Sequence, residues 1–447
     1  MSDKKGTSAD AAHLAEAVAA TESQVHFVSA HPVPEESHRQ ALLEVIGQMF
    51  SNNASALYLD PGSETVRISI PSTAGLHELI AVPLAVGRLV IEAIRREAAL
   101  KSDSGGGVHG PFAQGVLRVE QGGMERRLSV DLIPTVFGSA AVLRLMPSLP
   151  AGNGDLLALG LTPLQAPVVE TLLTGGGGGG VVILGGPDRD WVLNTCSVLL
   201  TRATLLGRRA AIVASRPGAD VAGVARVEAG RNDKEVAESI LRLAEADYSC
   251  IGVESALSPE VAQAAATVAT ENKALVVCVT SARSSPEAIG QFVNSGISSA
   301  LAASLVLAAC QLQIPLLCKS CAKWGDVSAE DIGYFGLDPS KKTNFFARTG
   351  CKACNGQIVE FAQVFELCHI TESLREKIRG GMPFSRLEGE LITMPGYTRL
   401  LYRFGEVIQE GRSSATEARQ YYMWQVPNAP RSAAAAAATS ASTIKSV

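Results

Sequence analysis

The sequence predicts an α/β protein built on a parallel sheet covered by helices, with a small α+β domain before it and a cysteine-bearing module with helices after it. Three observations carry that prediction. Between Val181 and Thr280, apolar runs of strand length alternate with helix-length segments, the pattern of parallel strands joined by helical crossovers. Upstream, short strand patterns are interleaved with two helical ones. Downstream, Cys318-x-x-Cys321 and Cys351-x-x-Cys354 form two matched pairs.

Residues 1–35 are rich in Ala, Ser and Glu and read as a flexible arm. A small α+β (PAS-like) domain is expected over 36–147. It opens on a helix from Glu36 to Phe50, with Leu42, Leu43, Ile46 and Met49 at helical spacing. Strands follow at 56–60 and 65–70 around Pro61-Gly62, then a helix over Ala81–Leu100 and a Ser/Gly-rich loop over 101–110. Strands at 115–120, 126–132 and 140–145 complete it. Pro147–Asp155 reads as a linker. The main domain, 156–317, is expected to place strands at 181–184, 209–214, 249–253 and 275–280, and helices at 191–205, 233–246 and 259–270. Six glycines, Gly175–Gly180, precede its first strand and read as a spacer; lying upstream of the strand, they do not form a phosphate cradle. A cysteine module with C-terminal helices spans 318–426, and 427–447 reads as a disordered tail rich in Pro, Ala and Ser.

Composition narrows the function classes. The chain is 47% hydrophobic and 19% charged with a net charge of −5, which suits buried cores and gives no basic footprint for nucleic acid. No signal-peptide core follows Met1, so export is not expected. The longest apolar stretches, Val82–Ile94 and Leu301–Leu317, read as buried helices, since Arg95-Arg96 closes the first and Gln311, Gln313 and Pro315 break the second. Nine cysteines, an odd number, argue against a disulfide framework and for a reducing cytoplasm. Cys196, Cys250, Cys278, Cys310 and Cys368 sit in apolar surroundings and read as inert buried thiols.

The other four cysteines read as metal ligands. Each CxxC turn can aim two thiolates at one ion, and two such turns complete a tetrahedral sulfur shell suited to Zn(II). Ser320 lies in the first turn and Gly350 and Gly356 flank the second. With Cys318, Cys321, Cys351 and Cys354 filling all positions, the role is structural rather than catalytic.

Around these cysteines the sequence resembles the type II secretion and type IV pilus-assembly ATPases. The resemblance is carried by Gly350-Cys-Lys-Ala-Cys354, Gly356 and Val364-Phe365-Glu366-Leu367, and by Gln311 before Leu317-Cys318, which fits the helix entering the family's cysteine module. Gly396-Tyr-Thr-Arg-Leu400 and Gly411-Arg-Ser-Ser-Ala-Thr-Glu417 are similar to the family's last helices. Upstream, Val130-Asp-Leu-Ile-Pro134-Thr135 with Val142-Leu-Arg-Leu145, and Asn53-Ala-Ser-Ala-Leu-Tyr-Leu-Asp60, are similar to family strands. The resemblance covers about residues 38–420. It implies a RecA-like, P-loop NTPase-type main domain, a cytoplasmic motor for protein transport, and inner-membrane platform proteins as partners that hold it at the membrane periphery. Shorter retraction-type members lack such cysteines, which favours the assembly or secretion branch.

The family's chemistry does not carry over. A working phosphate loop needs exposed backbone N–H groups, a Lys for the β/γ-phosphates and a Ser/Thr for Mg(II). Here Gly186 and Pro187 match, but Arg189 and Trp191 stand at glycine positions, Val192 at the lysine position and Leu193 at the hydroxyl position. Asp188 and Asp190 would repel phosphate. The acidic box falls on Ser215-Arg216-Pro217, which holds no carboxylate. The metal-and-water box falls on Ile251-Gly-Val-Glu-Ser255, with Val253 at the glutamate position and Glu254 one residue off. Ser281 stands at the histidine position and Leu312 at an arginine position. One lost electrostatic group typically removes about 10²–10³ in rate, so no catalytic residue is assigned and bound ATP or Mg(II) is not expected. The resemblance then implies a pseudo-ATPase acting as a structural or regulatory partner, beside an active paralogous ATPase, in a homo- or hetero-hexamer. Two other readings stay open: a divergent active ATPase using Arg189 as substitute cation, although a solvated loop charge is the simpler account of Arg189, and an unrelated zinc-ribbon interaction protein.

Overall fold

The computed structural model describes residues 25–27, 36–146 and 154–429, apart from 53, 73–74, 99, 103–111, 122–123, 176–177, 215–220, 229–231, 255–256, 341–344, 353, 355–357, 359, 383–385, 387–388, 392–393, 395 and 428. Nearly all of the expected arm, most of the 147–155 linker and 101–110 loop, and almost the whole tail lie outside the described residues. Contacts divide the chain into two compact units, one reaching to residue 148 and the other running from residue 149.

In the first unit, strands β1 (Val25–Phe27), β2 (Ala56–Pro61), β3 (Thr65–Ser72), β4 (Gly75–Pro83), β5 (Lys101–Ser102), β6 (Ala113–Gln121), β7 (Met124–Thr135) and β8 (Gly138–Leu145) form one antiparallel sheet. Its order is β1-β6-β7-β8-β2-β3-β4, with β5 beside β6. Helices α1 (Glu36–Ser51) and α2 (Leu84–Glu97) share a core with it, through Leu42, Ile46 and Met49 from α1, Val90 and Ile94 from α2, and Leu57, Leu59, Val66 and Ile68 from the sheet. The helix expected from Ala81 begins three residues later, because Ala81–Pro83 complete β4 opposite Thr65–Arg67. Val82 is therefore a strand residue. Pro83 then serves as N-cap, a position that needs no backbone N–H.

The second unit opens with the short helices α3 (Leu156–Leu159) and α4 (Ala166–Leu173). It then alternates β9 (Gly180–Gly185), α5 (Arg189–Leu205), β10 (Ala210–Ala214), β11 (Val224–Glu228), α6 (Asp233–Glu245), β12 (Cys250–Val253), α7 (Pro259–Glu271), β13 (Leu275–Thr280), α8 (Ser285–Val293) and α9 (Ser299–Ala302). Strand β14 (Leu305–Pro315) follows, and β17 (Phe361–His369) closes the sheet after a short hairpin, β15 (Ala322–Trp324) with β16 (Phe346–Arg348), and helix α10 (Ala329–Phe335). Helices α11 (Glu372–Arg379), α12 (Leu400–Gln409) and α13 (Ala415–Gln425) end the chain's described part. The sheet order is β11-β10-β12-β13-β9-β14-β17, with every neighbouring pair parallel except β14 and β17. Side chains alternate between two cores: Val181 and Ile183 join α6, α7 and α8, while Val182 and Leu184 join α3, α4 and α5.

Two sequence expectations change here. Leu301–Leu317 is not a buried helix but chiefly strand β14, so Gln311 also enters the cysteine module on a strand. Burial on both faces makes such a strand one apolar run, which periodicity cannot tell from a buried helix. Ala308, Cys310, Leu312 and Ile314 face one core and Val306 and Ala309 the other. The last two of the six glycines are also not spacer. A Cβ on Gly179 would lie 2.2 Å from the Ala269 carbonyl oxygen, and one on Gly180 2.4 Å from Val306. Both are packed against neighbours at the start of β9.

Glu366 on β17 ties the C-terminal helices to this sheet. Its carboxylate accepts from Ser285 N at 2.6 Å, Tyr397 Oη at 2.8 Å and Leu400 N at 3.0 Å, and it is 2% exposed. Burial raises its pKa above the usual carboxylate range. Glu366→Ala should lower the unfolding free energy by about 3 kcal/mol or more, since each orphaned buried donor costs about 1–3 kcal/mol. Urea unfolding checks this, and a loss below about 1 kcal/mol would contradict it.

Candidate functional site

Strand β9 delivers Gly186 and Pro187 to the turn that starts α5, where the C-terminal ends of β9 and β13 lie side by side with β12 beyond. That edge is where open α/β sheets take ligands. In this chain the turn is occupied by its own groups. Asp188 is the N-cap of α5, its carboxylate accepting from Asp190 N at 3.1 Å and Trp191 N at 3.4 Å. The helix's free N–H groups and positive end, the usual anchor for a phosphate, are met by a carboxylate. Burial, and then the Asp190 charge, hold the Asp188 pKa above its ordinary value.

Val192, at the expected lysine position, is fully buried, and a Cβ on Gly186 would lie 2.7 Å from its Cγ2. Leu193 packs at the margin of the α3–α5 core. Thr195 donates its hydroxyl to Gln311 Oε1 at 2.6 Å, tying the helix to β14. Trp191 is half-buried, Ser281 is exposed, and Leu312 is sealed in the opposite core. The Ser215–Pro217 box lies outside the described residues.

Beside the turn stands a cluster that the sequence did not reveal. Val253 ends β12 inside the core under α6 and α7, so strand alternation turns the next side chain, Glu254, toward α5. Glu254 is 1% exposed. The Arg189 guanidinium donates to its main-chain carbonyl and lies 3.7 Å from Oε1, while Arg226 on β11 lies 3.7 Å from Oε2. Arg189 is thus not a simple solvated loop charge. It clamps the first residue of α5 to the end of β12, beside the Gly186-Pro187 turn.

The four cysteines converge. Cys318, Cys321, Cys351 and Cys354 place their sulfur atoms within 4.8 Å of one another, and all but Cys351 are buried. Sγ–Sγ distances are 3.8 Å for Cys318–Cys351, 3.5 Å for Cys321–Cys354 and 3.7 Å for Cys351–Cys354. Disulfide sulfurs stand about 2.05 Å apart, so these are separate thiols. Four sulfurs each about 2.3 Å from one tetrahedral ion are roughly 3.8 Å from one another, and the cluster has that spacing. Both loops are tight turns, with Cys321 N donating to Cys318 O and Cys354 N to Cys351 O, each at 3.2 Å. The β15–β16 hairpin sets the pairs face to face, and Thr349 Oγ1 donates to Cys321 O at 2.8 Å. The donor set could hold a metal ion. The remaining five cysteines are buried as read from sequence, and burial pushes the Cys250 thiol up to about 12.

No protein-family model and no curated protein matches the sequence, whereas solved structures do. The ATPase DotB of Legionella pneumophila aligns over 84% of this chain and 93% of its own, with a TM-score of 0.52 at 13% identity. DotB of Yersinia pseudotuberculosis aligns over 89% and 97%, with a TM-score of 0.50 at 11% identity. The fold is that of the DotB ATPases. At such identity the likeness concerns the fold, and it agrees with the α/β class, the parallel sheet and the preceding α+β unit read from sequence.

Sequence reading missed Arg226 and Arg348. Arg226 lies in the short edge strand β11, which was not foreseen. Arg348 follows Phe345-Phe346-Ala347, and a lone charge closing an apolar run was the available signal. Removing one partner of a buried ion pair strands the other charge, at about 3–5 kcal/mol. The double variant Arg189→Ala/Arg226→Ala should therefore destabilise the chain by about that much. Glu254→Gln should cost less, because both arginines reach solvent, with side chains 42% and 28% exposed. Chemical denaturation of the three proteins checks the order, and equal stability of the double variant and the unchanged chain would contradict it.

Proposed function

We propose that this chain is a non-hydrolysing relative of the cytoplasmic motors of type II secretion and type IV pilus assembly, serving as a structural or regulatory partner in such a machine. One observation carries the reading: the chain's own groups occupy the phosphate turn. Asp188 caps the helix, Val192 fills the space over Gly186, and Arg189 is committed to Glu254. A phosphate would have to displace the half-buried Asp188 carboxylate from the helix end and would find no lysine. The fold shared with secretion ATPases supports the ancestry, and the closed turn supports loss of turnover.

In this reading 156–317 is a RecA-like domain kept as scaffold, 36–147 an N-terminal domain, and 318–426 a zinc module with C-terminal helices. Zn(II) on Cys318, Cys321, Cys351 and Cys354 is structural, since no coordination position is left open. Partners are inner-membrane platform proteins and an active paralogous ATPase, in a homo- or hetero-hexamer. Among the described residues no helix is long and apolar enough to cross a membrane, so attachment to the membrane would go through those partners.

Calorimetry with Mg-ATP should give no binding heat, and phosphate release should stay at background. A micromolar dissociation constant, weakened by Arg189→Ala, would show that a divergent site works and would overturn this reading. Metal analysis of the pure chain should give one zinc per chain. Structural zinc sites contribute an apparent ~10–16 kcal/mol in small modules, so Cys351→Ser should release the metal and expose the 318–360 region to protease. A pure chain with well under one zinc would count against the module.

A further inference from the structure

The last helix, α13, is fastened to the cysteine module by two ion clusters, and one of them reaches the metal site. Arg348 lies on β16, opposite Ala322, the residue after Cys321. Its side chain is only 3% exposed. The guanidinium Nε donates to Glu417 Oε1 at 3.0 Å, and one terminal nitrogen donates to Glu417 Oε2 at 3.1 Å and to the Leu316 carbonyl at 2.9 Å. Against burial, which would lower it, Glu417 and then Cys354 hold the Arg348 pKa above its ordinary value. Glu417 sits in the first turn of α13. Two residues on, Arg419 of the same helix pairs with Glu330 at 2.8 Å and Asp331 at 3.1 Å, on α10 between the two cysteine pairs.

We propose, on the reading that the four cysteines hold zinc, that Arg348 is a positioning residue that couples metal occupancy to the docking of α13. The physical reason is where the guanidinium stands: it holds the Leu316 carbonyl, two residues before Cys318, from strand β16, which leads into Cys351 and pairs beside Cys321. Four thiolates around one divalent ion carry a net charge of about −2, so the occupied site is an anion beside this cation. Charges that close to a buried guanidinium are little screened. Metal binding therefore tightens the hold of the cysteine module on Arg348. The planar fork of that arginine holds Glu417 with two donors while also meeting the Leu316 carbonyl, which a lysine could not do with the same geometry. Linkage is reciprocal: if metal strengthens the docking of α13, docking strengthens metal binding by the same factor.

The test uses the full chain and Zn(II) alone. Zinc affinity is measured against a chromophoric chelator, and amide hydrogen exchange in 415–425 is followed with and without zinc. Arg348→Gln should weaken zinc by about 10–100-fold, the usual effect of losing an outer-shell partner. Arg348→Lys should fall between the two. Glu417→Gln, at a residue more exposed than Arg348, guards against a variant that fails to fold; it should weaken zinc several-fold and speed exchange in α13. Lys319→Gln removes an exposed charge inside the first CxxC turn and controls for charge alone; its affinity should stay within about fivefold. In the unchanged chain, stripping zinc should speed exchange across α13. Unaltered zinc affinity in both Arg348→Gln and Glu417→Gln would overturn the coupling while leaving the zinc site standing. So would α13 exchange that ignores zinc, or a Lys319→Gln effect as large as that of Arg348→Gln. A chain that takes up no zinc would refute the zinc reading itself, and the coupling with it.

Discussion

Strand β9 is buried on both faces and hydrogen-bonded on both edges, to β13 and β14, and both candidate sites depend on that placement. A central parallel strand has no free backbone groups, so its end fixes where the following helix must begin. The four N–H groups at the start of α5 then need partners wherever a ligand does not supply them. In an active phosphate loop the nucleotide supplies them. Here the Asp188 carboxylate supplies two of them, and with it come a short capped entry, Val192 turned inward over Gly186, and Arg189 reaching Glu254.

The same strand supports the other end of the unit. Beside it, β14 carries the chain directly into the first cysteine pair, and β17 brings it back. Glu366 on β17 then gathers Ser285, Tyr397 and Leu400 around one buried carboxylate, so α8 and the C-terminal helices converge on one strand. The cysteine cluster and the turn after β9 are thus linked through neighbouring strands of one sheet.

Much of this was legible in the sequence, and the gaps have physical causes. Strands β9, β10, β12 and β13 and helices α5, α6 and α7 declare themselves because apolar runs and amphipathic segments alternate, and strand β13 spans Leu275–Thr280 as read. The four cysteines were legible because ligand spacing is local. Strand β14 was mistaken for helix because burial on both faces erases the period of two. Strand β11 is a five-residue edge strand, Val-Ala-Arg-Val-Glu, with a half-exposed pattern, so its apolar signal was too short to stand out. The engagement of Arg189 with Glu254 and of Arg348 with Glu417 joins residues 65 and 69 positions apart, and no local pattern announces such a pair. The residues of the turn after β9 could be read from the sequence, but the partners they take, Glu254 and Gln311, could be read only from the fold.

Strands β14 and β17 are sequence-distant yet adjacent, with Pro315 directly opposite Phe361 at the open end of an antiparallel ladder. Topologically the whole cysteine module is the loop of a β-hairpin. A turn of two to five residues ordinarily suffices to join strands so placed. The module is therefore a cassette: the sheet does not need it for its own continuity, and the ladder clamps its two ends whatever lies between. That clamp also favours the metal, because an ion closing a loop whose ends already meet has little chain entropy left to overcome. Lineages with this fold could gain, lose or exchange such a cassette without redrawing the sheet, and the part of the molecule most free to change in evolution is then the part that the last helix grips.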